Sequence, residues 1–251
     1  MPEPRTLPKP PIVEAVVDID CDMPPGQDLP ALEAPARDAF RDRYPTFRPA
    51  FFHEGQIELR GGEALPKVAG TVRIQALRFL QDDEQQLVQV RTLGFSFNRL
   101  APYSSLDDYL PEIGRTWRLF VTLASPLQVR VVRLRYINRI ELPLTADRIE
   151  VGEYFRVGPK LPDEAGLSFA GFLNQHTAIE ESTGSTVNII LATQLPQNGV
   201  LPIVFDITAA RPGTAEPEEW NWIAERIQSL RSLKNRVFWN TLTEKCLNLF
   251  Q

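Results

Sequence analysis

Asp18, Asp20 and Asp22 are the first residues whose spacing carries chemical meaning, because carboxylates at alternate positions open a calcium-binding loop. The rest of such a loop is missing. Met23 stands where the sharp turn needs glycine, and Leu29 where a bidentate glutamate should close the shell. The three aspartates therefore read as the solvated face of a strand. His53 and His176 are the only histidines, and Cys21 and Cys246 occupy apolar positions, so no zinc-ligand spacing is present. The chain also lacks a glycine-rich phosphate loop, a GxSxG elbow and an HExxH helix. It reads as a non-catalytic protein, with no metal and no cofactor expected.

Two further constellations have the chemistry of recognition. Arg130, Arg133, Arg135 and Arg139 form the densest basic stretch, and the last three share odd parity. Guanidinium groups spaced this way can hold a phosphate-bearing ligand or an acidic partner. They can equally pair with Glu14, Asp18 or Asp20 on a neighbouring strand, and that structural role is the favoured reading. Trp220, Trp222, Phe238 and Trp239 crowd one C-terminal segment. Trp220 and Trp222 would lie about 200° apart on a helix, and Phe238 and Trp239 about 100° apart. One stripe cannot bury them all, so Phe238, Trp239 and Trp222 join Arg133, Arg135 and Arg139 as candidate interaction residues.

These residues must be positioned by regular elements, and the elements are legible. From Ile12 to Cys21 apolar side chains fall on odd positions and acidic ones on even positions, as in a strand with one buried face. Asp28 opens a helix that Tyr44-Pro45 stops. Strands follow at Phe47 to Arg60, Thr71 to Leu80 and Leu87 to Leu100, with Gly61-Gly62 as the first turn. Ser105 and Asp108 form a capping box before Leu106, Leu110, Ile113, Trp117 and Phe120, which recur at helical spacing until Ser125-Pro126. A second pass begins with a long strand, Val129 to Leu142, then an irregular stretch from Thr145 to Pro162. Three strands follow, Leu167 to Glu180, Thr186 to Gln194 and Leu201 to Ala210, and then a helix expected to start around Pro217 and run almost to Gln251.

The fold class is therefore α+β. Residues 1–126 and 127–251 each read as a β-α-β-β-β-α unit, a tandem repeat forming one curved, mainly antiparallel sheet with helices on one face. Helix-grip and TATA-binding-protein-like halves are the nearest geometries, by analogy alone. With 251 residues, 43% hydrophobic and 24% charged, the chain can bury a sizeable core. No apolar run approaches the roughly 20 residues of a membrane helix, and the proline-rich start has no secretory apolar segment. Two distant cysteines fit a reducing cytoplasm, and a net charge of −5 argues against general nucleic-acid binding.

Three segments are familiar as a set: Lys9-Pro10-Pro11-Ile12-Val13-Glu14-Ala15, Leu134-Arg135-Tyr136-Ile137-Asn138-Arg139-Ile140, and Lys234-Asn235-Arg236-Val237-Phe238-Trp239 continuing through Leu242-Thr243-Glu244-Lys245. Together they resemble a sporadically distributed family of bacterial proteins of similar length and unassigned function. That resemblance implies a setting in bacterial defence or toxin–antitoxin systems, and offers no established catalytic residues to carry over. Two functions are expected. One is a protein-interaction module whose partner is another protein or a second copy. The other is a small-molecule binder with a cavity lined by Phe95, Phe97, Phe169, Phe172 and Trp239.

Overall fold

The alternation that marks the first strand also decides which side of the sheet is covered. A computed structural model describes residues 7–58, 67–144, 149–162, 167 and 169–251, without the side chains of 53–58 and 67–72. The Gly61-Gly62 turn, the His53 side chain and Thr145 lie outside the described residues. The elements are β1 (Ile12–Asp22), α1 (Leu29–Phe40), β2 (Thr46–Glu58), β3 (Lys67–Leu80), β4 (Gln86–Arg91), β5 (Gly94–Leu100) and α2 (Leu106–Ala124). After them come β6 (Gln128–Pro143), β7 (Leu173–Glu180), β8 (Ser185–Thr193), β9 (Val200–Ala215), α3 (Trp220–Thr241) and α4 (Glu244–Leu247). Nine strands form one sheet in the order β2-β3-β4-β5-β1-β6-β9-β8-β7, and the pairings are antiparallel. At its centre β1 pairs with β6. On either side the opening strand lies beside the last strand of its own half, β1 against β5 and β6 against β9.

Local differences from the sequence reading have physical causes. The strand expected from Leu87 to Leu100 is two strands, because the chain reverses at Thr92-Leu93. Gly94 then takes φ +138°, and a Cβ there would lie 2.1 Å from the Ile19 carbonyl oxygen, so glycine is what lets β5 lie against β1. Between β6 and β7 the described residues hold only a 3-10 turn at Val151–Glu153. Gly152, Gly158, Pro159 and Pro162 leave no uninterrupted run for a helix. The strand expected from Leu167 begins at Leu173. Ser105 caps α2 through the Asp107 amide at 3.2 Å. Pro217 lies ahead of α3, and its carbonyl accepts the Trp117 indole N–H at 2.9 Å. The long C-terminal helix stops at Thr241, because Leu242 is extended and bridges to Phe155. Thr243 then caps α4.

The core lies between the helices and one sheet face. Phe95 on β5 meets both Trp117 and Phe120 of α2 with ring centroids 5.7 Å apart. Phe40 of α1 packs on Phe79 at 5.1 Å, and Phe238 of α3 stacks on Phe205 at 5.8 Å. Each such ring, fully buried, stabilises the fold by about 1.5–3 kcal/mol. Gly114 on α2 seats the Trp220 ring, since a Cβ there would sit 2.8 Å from it. That close approach locks the start of α3 against α2.

The opposite face is a polar ladder. Glu14 accepts from Asn98 at 2.6 Å, Asp18 from Ser96, and Asp20 from both Arg91 and Arg133. Arg133 therefore pairs with the acidic first strand. Arg135 instead grips Asp206 on β9 with two nitrogens, at 2.6–3.0 Å, and Arg139 approaches Glu141 at 3.6 Å. Register explains the split: Arg135 sits opposite Val16 on β1, which offers no acceptor.

The Asp206 side chain is 7% exposed, whereas that of Arg135 is 43% exposed. Truncating Arg135 strands a buried carboxylate, while part of the lost attraction was already screened by water. Arg135→Ala should therefore lower the unfolding free energy by about 1–3 kcal/mol in urea titrations. A variant as stable as the wild type would show that the pair contributes nothing.

Candidate ligand pocket

Asn138 lies opposite Ile12, and Tyr136 opposite Ala15, in the β1–β6 register. That register sets the N-terminal arm, residues 7–11, beside two polar side chains of β6. The arm is held at two points. The Lys9 amide donates to the Phe250 carbonyl at 3.0 Å, and the Arg139 amide donates to the Pro11 carbonyl at 2.9 Å. Over the same part of the sheet runs α3, whose buried stripe is Ile223, Ile227, Leu230, Lys234, Phe238 and Thr241. Lys234 is the one charged residue in that stripe. Arm, strand and helix enclose, with the residues just before α2, a pocket of ≈ 210 Å³.

Lys234 is 7% exposed, and its Nζ sits 3.7 Å from the centroid of the Tyr136 ring and 6.0 Å from that of Phe238. Among the described residues no oxygen accepts a hydrogen bond from it. Burial, together with the nearby charge of Arg231, brings its pKa down to about 7. The Tyr136 hydroxyl lies 2.6 Å from that of Tyr103, and the two rings meet edge to face at 5.4 Å. Burial pushes the Tyr136 phenol up to about 12 and raises Tyr103 as well. Arg231, one turn before Lys234, is held by Asp107 through contacts of 2.7 and 2.8 Å. Asn138 donates to the Phe205 carbonyl at 2.9 Å. Pro10, Pro11, Ile12, Phe238 and Trp239 supply apolar walls.

Such a site has few polar groups on an apolar lining, the composition that orients a small ligand. The three segments singled out in the sequence, around Pro10, Tyr136 and Lys234, all contribute to it. A second cavity of ≈ 410 Å³ lies near the start of α1, between Gln27 and Arg91. Its Arg91 is already committed to Asp20. Its other guanidinium, Arg73, is exposed.

The sequence-derived candidates are dispersed. Arg133, Arg135 and Arg139 occupy the polar face, away from the pocket. Phe238 is core, Trp239 is a partly buried pocket wall, and Trp222 carries the Arg226 guanidinium 3.7 Å above its ring. The expected inner cavity is filled: Phe95 and Phe97 are 0% and 2% exposed, and Phe169 pairs with Phe172 apart from them. Cys21 and Cys246 are buried, and burial pushes each thiol up to about 12. Among the described residues no three His, Cys, Asp or Glu side chains gather to hold a metal, and no helix is long and apolar enough to cross a membrane. Sequence reasoning missed Lys234, Tyr136, Tyr103 and Arg231. The signal available for Lys234 was a cation at an apolar helical position.

No family model, curated protein or solved structure matches the chain.

The lysine makes stability depend on pH with a definite sign. Its folded pKa, about 7, lies below the unfolded value of about 10.4, so above pH 7 the unfolded chain holds more protons. Stability should rise with pH from 7 by about 1–2 kcal/mol up to pH 8.5. Beyond that the two buried thiols act in the opposite direction. Lys234→Met should abolish this rise, read as the difference between the two unfolding curves. Parallel curves would contradict an unpaired buried ammonium.

Proposed function

We propose that the chain is a non-catalytic binding module that takes a small molecule between the N-terminal arm, β6 and α3. The observation that carries this reading is the Lys234 ammonium, buried at the pocket wall against the Tyr136 ring, with no oxygen among the described residues accepting a hydrogen bond from it. A group so desolvated destabilises the empty protein, and a ligand that satisfied it would recover that loss. The size of the pocket, below the roughly 300–1,000 Å³ of drug-sized sites, fits a ligand of about one ring. We extend the reading to two tandem α+β units, supported by the like order of pairing in each half, β1 beside β5 and β6 beside β9. The resemblance to a sporadically distributed bacterial family supports a role in the bacterial cytoplasm, in defence or toxin–antitoxin systems.

Asn235→Trp tests the pocket, because this partly exposed helical position lines the cavity without belonging to the core. Single-ring fragments should perturb the NMR signals of Tyr136 and Trp239 in the wild type. They should leave the variant unchanged while its melting temperature stays within a few degrees of normal. Fragments that never move those signals, or that move them equally in the variant, would contradict the reading.

Association with a protein partner or a second copy is a second reading, favoured by β7. This is an outermost strand of the sheet, with Leu173 73% and Ile179 67% exposed. An apolar edge strand is a template for adding another strand. Sedimentation velocity should then show a dimer, or a co-purified complex, that Ile179→Lys dissociates. A wild-type chain that sediments as a monomer and brings down no partner would remove this second reading.

A further inference from the structure

We infer that the pocket takes a small organic anion, its carboxylate or phosphate oxygens seated on Lys234 Nζ and its apolar body against Ile12, Phe238 and Trp239. The inference rests on the small-molecule reading above and names the ligand class.

Charge decides the class. Among the described residues the titratable groups near Lys234 from each neighbouring element are Tyr136 on β6, Tyr103 ahead of α2, and Arg231 one turn back on α3, with Asp107 of α2 bound to Arg231. The arm contributes Leu7, Pro10 and Pro11, while the Lys9 side chain is exposed. The acids Glu14, Asp18 and Asp20 all serve partners on the opposite sheet face. Among the described residues two cations therefore line the cavity, and the one carboxylate near them, Asp107, is bound to Arg231. An unpaired cation in a desolvated site attracts an anion far more strongly than a neutral molecule of the same shape.

The tyrosines add a donor. In a pair of hydroxyls 2.6 Å apart, one donates to the other, and the acceptor's own hydrogen remains available to a ligand oxygen. Lys234 and this hydroxyl can then share one acid group, as charge-assisted hydrogen bonding favours. The apolar walls favour an organic anion over a bare inorganic ion, because an apolar body can pack against Pro11 and Ile12 and a bare ion cannot.

Pairing also changes protonation. The free ammonium titrates at about 7, and a bound anion restores it toward the ordinary lysine range. Anion binding above pH 7 should therefore take up a proton, and affinity should fall by up to about tenfold per pH unit above that point.

Calorimetric titration of the full chain with benzoate, phenyl phosphate and benzamide, at pH 6.5, 7.5 and 8.5, tests the inference. We expect one of the two acids to bind at least about tenfold more tightly than neutral benzamide. Whichever acid wins distinguishes a carboxylate from a phosphate ligand. We also expect Lys234→Met to erase the preference, and proton uptake by the wild type at pH 7.5, measured in two buffers of different ionisation enthalpy. The proton measurement stands even if the variant fails to fold. Benzamide binding as tightly as both acids, or an acid preference without proton uptake, overturns the anion class and leaves the pocket reading intact. Failure of all three compounds to bind removes both.

Discussion

Ala15 lies opposite Tyr136 and Asp18 opposite Arg133 because β1 and β6 pair antiparallel at the centre of the sheet. This one pairing joins the first half of the chain to the second, and its register sets what meets on each face. On the helix side it brings the N-terminal arm beside Tyr136 and Asn138. On the other side it lets Arg133 reach Asp20 and leaves Arg135 opposite Val16, so that Arg135 turns to Asp206. A slip of one residue would exchange the faces and send the acidic side chains of β1 into the core.

The core explains why a lysine can sit where it does. Phe238 stacked on Phe205, and Leu230 and Ile227 one and two turns before Lys234, fasten α3 to the sheet whatever the lysine does. The Tyr136 ring face gives its ammonium a partial substitute for water through a cation–π contact. That contact does not replace the lost hydration, and burial, with the nearby Arg231 charge, brings Lys234 well below an ordinary lysine. Arg231 marks the contrast: a turn away, with Asp107 in hand, its charge is favoured. Among the described residues a carboxylate reaches Arg231 and none reaches Lys234, and that difference is the chemistry of the site.

Much of the architecture was legible in the sequence, because it depends on local pattern. Alternation from Ile12 located β1, the long strand pattern from Val129 to Leu142 located β6, and the spacing of Leu106, Ile113, Trp117 and Phe120 located α2. Features set by distant contacts were not legible. The break between β4 and β5 follows from the Ile19 carbonyl lying against Gly94, and the end of α3 follows from Leu242 bridging to Phe155. Neither neighbour is local in sequence. The pocket stood between these cases. Lys234 was visible as a cation in an apolar stripe, but nothing in the chain order announced Tyr136 beneath it, 98 positions earlier. The aromatic surplus drew attention instead to Phe238, which the fold uses as core.

A buried Lys234 ammonium with no counter-ion among the described residues is the claim on which the functional account stands, and it can be read atom by atom. Carbon-13 NMR of the chain labelled at lysine Cε, with the Lys234 signal assigned by its loss in Lys234→Met, follows that one group through a pH titration. The account predicts a midpoint near 7. A midpoint at the ordinary value of about 10.4 would contradict it.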